Sequence, residues 1–362
     1  MTGGSVHQRT AGLDQKPDHT SKMLWLIILP FLLMAACTGN ENSFAEPQIE
    51  PTLGPAGASI LPANFDVQGH RGARGLKPEN TLPAFEAALD LGVTTLELDL
   101  HFTADGDLII WHDPEIDSSK CGLDPAATIE APNPDSLIYQ GEKLMFRNLT
   151  SAQLEAYRCD RNPDSDAYPN QNGEPTVLAG DDYGLISLRE LFDFVEAYSQ
   201  SEEKSVAQRE NADRVQFNIE TKRRPESPGF INDGFDGINP GPFELAILAL
   251  VEEKGLKDRV IIQSFDHRSL WAIRAVNDPI RLSALTRSSE TEPPLATLAE
   301  RGANIWSPNY RAVTADLINQ AHEAGLLVMP YTVNDPADMR RLITLGVDGI
   351  ITDRPDLLMS LR

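Results

Sequence analysis

The segment TTLELDL at residues 94–100 predicts a β-strand with two different faces. Leucine occupies every second position from 96, while Glu97, Asp99 and the following His101 occupy the positions between. Because successive side chains of a strand point to opposite sides, the leucines would cover one face and the acidic residues the other. Two inward carboxylates cannot both be charged and dry without a cation, so the segment predicts either a metal site or a water-exposed rim.

Similar short apolar runs recur on both sides of this segment. They predict further strands at residues 65–70, 215–220, 260–265, 281–285, 303–307, 326–333 and 349–352. Amphipathic stretches lie between the runs, at residues 81–92, 187–198, 242–254, 267–276, 314–324 and 335–345. This alternation is typical of repeated βα units around a parallel sheet. It predicts an α/β protein with a TIM (β/α)8 barrel, and an open doubly wound sheet is the alternative.

The barrel is expected to fill residues 61–362 as one domain. A chain of 362 residues, 41% of them hydrophobic, is long enough to bury one large core. An insertion at residues 114–186 breaks the rhythm directly after the second strand. Loops that follow barrel strands open on the face that carries the active site. The insertion is therefore expected either to border the site or to form a plain surface loop.

The N-terminus predicts export. LWLIILPFLLMAA at residues 24–36 is too short for an ordinary membrane span and suits a signal peptide. Cys37 follows two alanines, which is similar to the lipobox of bacterial lipoproteins, so we predict a signal peptide at 1–36 and a lipidated Cys37. An ordinary signal peptide or an uncleaved anchor is the alternative. Residues 37–60 have the composition of a flexible tether, which predicts a periplasmic or cell-surface protein that touches the membrane only through its lipid.

Two further cysteines lie in the insertion. An exported chain meets an oxidising compartment, where disulfides persist, so Cys121 and Cys159 are expected to pair. Two free buried thiols are the alternative.

The net charge of -23 argues against a nucleic-acid partner, because such proteins neutralise phosphates with clustered Lys and Arg. An anionic substrate would instead have to be held by local cations or by a metal.

The third predicted strand adds another candidate metal ligand. Glu220 ends that strand and would add a third carboxylate beside Glu97 and Asp99. A set of carboxylates without Cys favours a hard cation, Ca²⁺ or Mg²⁺, over Zn²⁺.

Two histidines end strands next to this acidic set. His70 ends the first strand in QGHRG, and His112 ends LIIWHD, which a turn at Asp105 and Gly106 would fold back as a hairpin on the second strand. Together they fit a general acid and a general base, because the unperturbed pKa of histidine lies near neutrality. Asp113 could orient His112 or could serve as an ordinary turn residue.

Two cations accompany these candidates. The guanidinium of Arg71 suits a phosphate, and Lys222 lies two residues after Glu220 on the same strand face. Both are predicted to hold an anionic group of the substrate.

An ordered series of motifs now resembles the glycerophosphodiester phosphodiesterase family, in its bacterial, exported lipoprotein form. The motifs are GHRG at 69–72, PENT at 78–81, ELDLHFTADG at 97–106, WHD at 111–113, IETK at 219–222, QSF at 263–265, YTVN at 331–334 and GVDGIITDRP at 346–355. Each motif alone is weak, and their order makes the resemblance specific. Tyr331 replaces a commoner Trp, and the insertion is longer than in compact members of the family.

The resemblance implies a (β/α)8 barrel that hydrolyses glycerophosphodiesters to glycerol 3-phosphate and an alcohol with a divalent metal. It implies His70 and His112 as the acid/base pair, Glu97, Asp99 and Glu220 as metal ligands, and Arg71 and Lys222 as phosphate contacts. The rivals are a phospholipase C or D type barrel that acts on intact or lyso-lipids, and a lipoprotein that binds phosphorylated metabolites without turnover. The head group, the order of the two histidines and the choice between water and a cyclic phosphate stay open.

Several polar and aromatic residues near the motifs have structural alternatives. Glu79 and Asn80 could support the site residues or cap a helix, and we expect Asn80 to cap the helix that begins at Thr81, because Asn is a favoured N-cap residue. Trp306 and Tyr331 could form a wall for the glycerol moiety or could pack in the core. Three histidines, His101, His267 and His322, are expected to be structural.

Overall fold

A computed structural model describes residues 60–136, 141–276, 279–290 and 292–362. The predicted signal peptide, Cys37 and nearly all of the predicted tether lie outside the described residues. No helix in the described ranges is long and apolar enough to cross a membrane.

Strands and helices alternate along the described chain. The strands are β1 (Asp66–Gly69), β2 (Thr95–Phe102), β3 (Leu108–Ile110), β4 (Gly122–Leu123), β5 (Tyr157–Arg158), β6 (Gln216–Thr221), β7 (Val260–Ser264), β8 (Arg281–Thr286), β9 (Ile305–Pro308), β10 (Leu327–Val328) and β11 (Gly349–Thr352). The helices are α1 (Leu82–Leu91), α2 (Ser151–Leu154), α3 (Leu188–Gln200), α4 (Val206–Ala212), α5 (Pro242–Glu253), α6 (His267–Val276), α7 (Leu295–Glu300), α8 (Ala315–Glu323), α9 (Pro336–Leu345) and α10 (Pro355–Met359). Each predicted strand and helix is present, and most have shifted ends, while α6 and β11 have the predicted ends.

Eight parallel strands form the barrel, in the order β10-β9-β8-β7-β6-β2-β1-β11. Backbone hydrogen bonds close it, since the Asp348 N–H donates to the Val328 carbonyl and the Ile351 N–H donates to the Pro330 carbonyl, both at 3.0 Å. The predicted TIM barrel is confirmed. The run at 326–333 is a strand only over Leu327–Val328, because Pro330 has no N–H to donate to a ladder.

The leucines of β2 face the helices, as their alternation predicts. Leu96, Leu98 and Leu100 are fully buried in the main core, between the sheet and the surrounding helices. The alternate side chains therefore point to the barrel interior. β3 pairs antiparallel with the end of β2, which confirms the predicted hairpin and returns the chain to the same face of the barrel.

The insertion packs against this hairpin and forms a second, smaller core with it. Its buried members are Ile109, Trp111, Ile116, Cys121, Leu144, Phe146, Leu149, Leu154, Tyr157, Cys159 and Leu185. Cys121 and Cys159 form the predicted disulfide, next to the short β4–β5 ladder. The insertion also contacts the loop after β1, where Gln171 donates to the Arg74 carbonyl at 2.7 Å. It therefore borders the face on which the barrel strands end.

Candidate active site

Three carboxylates from two neighbouring strands form the centre of the site. The register of β2 with β6 places Asp99 opposite Glu220, and Glu97 precedes Asp99 by two residues on the same face. Oxygen atoms of the three carboxylates lie within 4.8 Å of one another, and all three residues are buried. The structure thus brings together the carboxylates that the sequence predicts as metal ligands.

These carboxylates repel one another. Burial, Asp99 and Glu220 all raise the pKa of Glu97 well above its usual range. Burial and Asp99 likewise raise the pKa of Glu220, against the lowering effect of Lys222. Burial would also raise the pKa of Asp99, but Lys222 and Arg71 outweigh it and hold that pKa well below its usual range. The cluster therefore has an excess of negative charge that a cation would relieve.

The two predicted phosphate contacts lie against the same cluster. The Nζ atom of Lys222 lies 3.3 Å from Asp99 Oδ1 and 2.9 Å from Glu220 Oε1. Arg71 Nε lies 3.2 Å from Asp99 Oδ2, and Arg71 Nη1 donates to Glu79 Oε2 at 2.9 Å. Both cations also line the central cavity, so they can reach an anionic group bound there.

His70 is oriented by an aspartate from the last barrel strand. Its Nδ1 atom lies 2.6 Å from Asp353 Oδ1, and its Nε2 atom lies 3.8 Å from Glu97 Oε2. A carboxylate can only accept, so Nδ1 carries the hydrogen and Nε2 keeps its lone pair. Burial lowers the pKa of His70 to about 4, despite the opposing effect of Asp353. At this pKa the imidazole of His70 is neutral at pH 7.

His112 has a similar arrangement and lines the same cavity. Its Nδ1 atom lies 2.8 Å from Asp113 Oδ1, so Asp113 orients the ring. Burial, Arg71 and Lys222 lower the pKa of His112 to about 4. Asp113 is in turn bound by the ammonium of Lys120, a residue of the insertion.

The loop between β1 and α1 holds two residues in left-handed backbone. Arg71 has φ 51° and Asn80 has φ 57°, and the Asn80 N–H donates to the Arg71 carbonyl at 3.0 Å. The predicted capping role of Asn80 is wrong, because Thr81 is the N-cap of α1. Asn80 instead donates its side-chain amide to Asp99 Oδ2 at 3.1 Å. It fixes a carboxylate of the cluster and not a helix end.

A cavity of about 190 Å³ joins these groups. Phe265 and Tyr331 form an aromatic part of its wall, with ring centroids 5.9 Å apart, while Trp306 is buried in the core and donates to Thr286 Oγ1. Arg224 also lines this cavity, and within the described ranges its side chain has no hydrogen bond or ion pair. A neighbouring cavity of about 270 Å³ shares Arg224, but none of the carboxylates or histidines above line it.

The three histidines expected to be structural have structural contacts. His101 is buried, stacks on Phe146 with ring centroids 5.6 Å apart, and donates from Nε2 to the His112 carbonyl at 3.1 Å. His267 donates to the Leu285 carbonyl, and His322 pairs with Asp348.

Sequence reasoning missed several residues of the site. Asp353 directly follows β11, which pairs with β1, so its position at a strand end was a usable signal. Arg74 binds Asp353 through two nitrogens, both at 2.8 Å, and reaches the Glu79 carboxylate at 3.4 Å. Lys120 had no signal, because it lies in the irregular insertion.

Comparisons with known proteins identify a family. Residues 70–357 match the model of the Glycerophosphoryl diester phosphodiesterase family. A Mycobacterium tuberculosis protein named Probable glycerophosphodiester phosphodiesterase 1 is 38% identical over 305 residues, which cover 82% of this chain and 92% of that protein. The Glycerophosphodiester phosphodiesterase of Caldanaerobacter subterraneus is 27% identical over 82% of this chain and 96% of its own.

Solved structures show the same fold. A Silicibacter pomeroyi protein, named as a glycerophosphoryl diester phosphodiesterase, superposes with a TM-score of 0.66 at 27% identity, over 84% of this chain and 94% of its own. A phosphodiesterase of Oleispira antarctica, solved with the product sn-glycerol-3-phosphate, superposes with a TM-score of 0.59 at 17% identity, over 83% of this chain and 97% of its own.

The fold and the site together define a barrel enzyme that acts on phosphoric diesters. The chain belongs to the glycerophosphodiester phosphodiesterase family, as the match over residues 70–357 shows.

Proposed function

We propose that this enzyme hydrolyses glycerophosphodiesters to glycerol 3-phosphate and an alcohol by metal-assisted catalysis with two histidines. One observation carries the proposal: His70 and His112 line the same cavity as Arg71 and Lys222, above the three buried carboxylates. The Oleispira antarctica relative of the same fold holds sn-glycerol-3-phosphate, which supports this product.

The donor set fits a divalent cation. Five carboxylates around the site form ion pairs with four cations: Glu79, Asp99, Asp113, Glu220 and Asp353 pair with Arg71, Arg74, Lys120 and Lys222. Among the described residues, Glu97 forms no ion pair with a lysine or arginine. The carboxylates outnumber the cations that pair with them, and repulsion by Asp99 and Glu220 raises the pKa of Glu97, so a bound cation would offset this excess. Glu97, Asp99 and Glu220 would hold the ion, and their oxygen atoms favour Ca²⁺ or Mg²⁺. When bound, such an ion neutralises charge that develops on a phosphate oxygen.

The protein side chains hold the phosphate and move the protons. Arg71 and Lys222 present fixed positive charge to the phosphodiester and keep it in place when the bond to the leaving alcohol breaks. The neutral Nε2 atom of one histidine takes a proton from the attacking hydroxyl. An anionic phosphate favours the imidazolium form of the other, which gives its proton to the leaving alcohol. His70 and His112 are each oriented by an aspartate at Nδ1, so either order of these roles fits the geometry.

We further propose that the mature protein is exported and anchored through Cys37. The apolar run before Cys37 supports this, and so does the disulfide, since disulfides persist in oxidising compartments. Replacement of Cys37 by Ala should abolish incorporation of a radioactive fatty acid. Unchanged labelling of the Cys37→Ala protein would contradict lipidation at this residue.

The reaction can be tested with glycerophosphocholine. Release of glycerol 3-phosphate is expected with Ca²⁺ or Mg²⁺ and not with EDTA. His112→Ala should abolish turnover and leave thermal unfolding nearly unchanged, because the side chain of His112 is 26% exposed and lines the cavity. Tight binding of glycerophosphodiesters without turnover would favour a binding protein. Turnover of intact or lyso-lipids alone would favour a phospholipase.

A further inference from the structure

Lys120 is a partly buried cation that the insertion adds to the site. Its Nζ atom donates to Glu79 Oε1 at 2.9 Å and to Asp113 Oδ2, and its ammonium lies 5.6 Å from the centre of the Trp111 ring. Its side chain is 14% exposed. A lysine at this depth is costly to bury unless it is paired, and both of its partners are carboxylates of the site.

Each partner of Lys120 orients a different residue of the site. Asp113 uses its second oxygen, Oδ1, to bind Nδ1 of His112 at 2.8 Å. Glu79 uses its second oxygen, Oε2, to bind Nη1 of Arg71 at 2.9 Å. One ammonium therefore fixes the two carboxylates that set the direction of a proton carrier and of a phosphate contact.

The disulfide and backbone hydrogen bonds hold the chain at this lysine. Cys121, the next residue, is fully buried and is bonded to Cys159. The Lys120 carbonyl accepts from the Arg161 N–H at 3.2 Å, and the Lys120 N–H donates to the Asp117 carbonyl at 3.0 Å. The crosslinked segment therefore fixes the position from which the lysine side chain reaches the site.

We propose that Lys120 is a positioning residue for the reaction, which orients His112 through Asp113 and Arg71 through Glu79, and that the Cys121–Cys159 disulfide holds it in place. The proposal rests on the proposed function, and it gives the insertion a role in the chemistry. Lys120 does not line the central cavity, so it acts through its two partners and not on the substrate.

Loss of the ammonium should change the titration of His112 in a known direction. The charged groups that face His112 are Asp113 beside it, Asp99 from β2, Lys222 from the end of β6 and Arg71 from the loop after β1. Lys120 neutralises Asp113 in the native protein. Without Lys120, the negative charge of Asp113 favours the imidazolium, and the pKa of His112 rises.

The test compares three variants of the full chain: Lys120→Met, Lys120→Arg and Lys143→Met. Lys143 is an exposed lysine of the same insertion and serves as the matched control. We expect Lys120→Met to lower kcat/KM for glycerophosphocholine by roughly 10- to 100-fold, as loss of a supporting contact around a site does. The pH dependence of kcat/KM for Lys120→Met should shift to higher pH. Lys120→Arg should restore much of the activity, and Lys143→Met should match the wild type.

Two measurements test the role of Lys120 and the proposed hydrolysis separately: the NMR titration of His112 and the turnover of glycerophosphodiesters. NMR titration of His112 requires no turnover, and an upward pKa shift in Lys120→Met is expected even if no substrate is hydrolysed. An unchanged His112 pKa would overturn the positioning role. Failure of the wild type to hydrolyse any glycerophosphodiester would overturn the function alone. Thermal unfolding of each variant identifies a loss of activity that comes from unfolding.

The disulfide is tested in the same assays. Reduction of the folded wild type, and a Cys121→Ser/Cys159→Ser variant, should each lower kcat/KM and raise the His112 pKa in the direction of Lys120→Met. Reduced protein that keeps wild-type activity and a wild-type His112 pKa would overturn the role of the disulfide.

Discussion

Asp353 Oδ1 lies 2.6 Å from Nδ1 of His70, and this contact leaves the Nε2 lone pair of the histidine directed at the site. The other carboxylate oxygen of Asp353 accepts from Asn334 and from Arg74. The aspartate is thus fixed on both sides before it orients the histidine. Two strands that are neighbours in the barrel, β1 and β11, supply the pair.

Asp353→Asn should lower kcat/KM by roughly 100-fold or more, because an amide can donate to Nδ1 and so favour the tautomer with a hydrogen on Nε2. Steady-state kinetics with glycerophosphocholine would measure the loss. Asp316→Asn is the matched control, since Asp316 is an exposed aspartate on α8. Activity of Asp353→Asn close to that of the wild type would show that the tautomer of His70 is unimportant.

Glu97→Gln should reduce the stabilisation of the protein by a bound metal and should not reduce its stability in EDTA. The pKa of Glu97 is raised by burial, Asp99 and Glu220, so the neutral amide relieves repulsion in the metal-free protein. Wild-type protein should gain about 2.7 kcal/mol of unfolding free energy when the free metal is 100 times its dissociation constant. The variant should lose most of that gain and be at least as stable in EDTA. Thermal unfolding with EDTA, Ca²⁺ and Mg²⁺ would measure both effects, and an equal metal response in the two proteins would contradict the ligand role.

His101→Phe should reduce the dependence of stability on pH. Burial lowers the pKa of His101 to about 3, below its ordinary value of 6.5, so the unfolded chain binds more protons than the native protein between these values. Native stability therefore falls as the pH decreases from about 6.5 towards 3, by at most about 1.4 kcal/mol per pH unit from this residue.

Phenylalanine would keep the stacking on Phe146 and remove this titration. Urea unfolding of the wild type and of His101→Phe at pH 6.5, 5.5 and 4.5 would give the slope of the unfolding free energy against pH for each protein. Parallel slopes would mean that His101 is protonated in the native state or accessible to water.

Arg224→Gln should change the preference between alcohols. Arg224 lines the central cavity, and its side chain has no partner in the part of the chain that the structure describes. A charged hydrogen bond to an acidic leaving group would be lost, so kcat/KM should fall at least about tenfold more for glycerophosphoserine than for glycerophosphoethanolamine. These substrates differ by one carboxylate. Exposed Arg340 on α9, replaced by Gln, controls for net charge, and an equal loss on both substrates would indicate contact with the shared phosphate.

The barrel could be predicted because its evidence is periodic. Every second residue of β2 is a leucine in the core, and this local pattern predicts both the strand and its inward carboxylates. Glu220 followed from the same reasoning, because parallel strands end on one face and the β2–β6 register places it opposite Asp99. The resemblance of the ordered motifs then predicted the reaction.

Long-range contacts were not predictable in this way. Lys120 reaches Glu79 across 41 residues of sequence, and no pattern in the insertion indicates that contact. Asn80 has the residue type of a helix cap, but its left-handed backbone directs its amide to Asp99. Trp306 could equally line a cavity or pack in the core until its partner Thr286 was known.

The left-handed backbone of Arg71 and Asn80 has a consequence for when the site is ordered. Such conformations cost a residue other than glycine roughly 1 kcal/mol or more, and the rest of the fold must maintain them. Glycine at position 71 would relieve this strain and lose the guanidinium. Because the fold maintains this conformation, the loop is already ordered before substrate binds. The conformational entropy of the Arg71 loop is lost on folding, so less of the substrate's binding free energy is needed to order the enzyme.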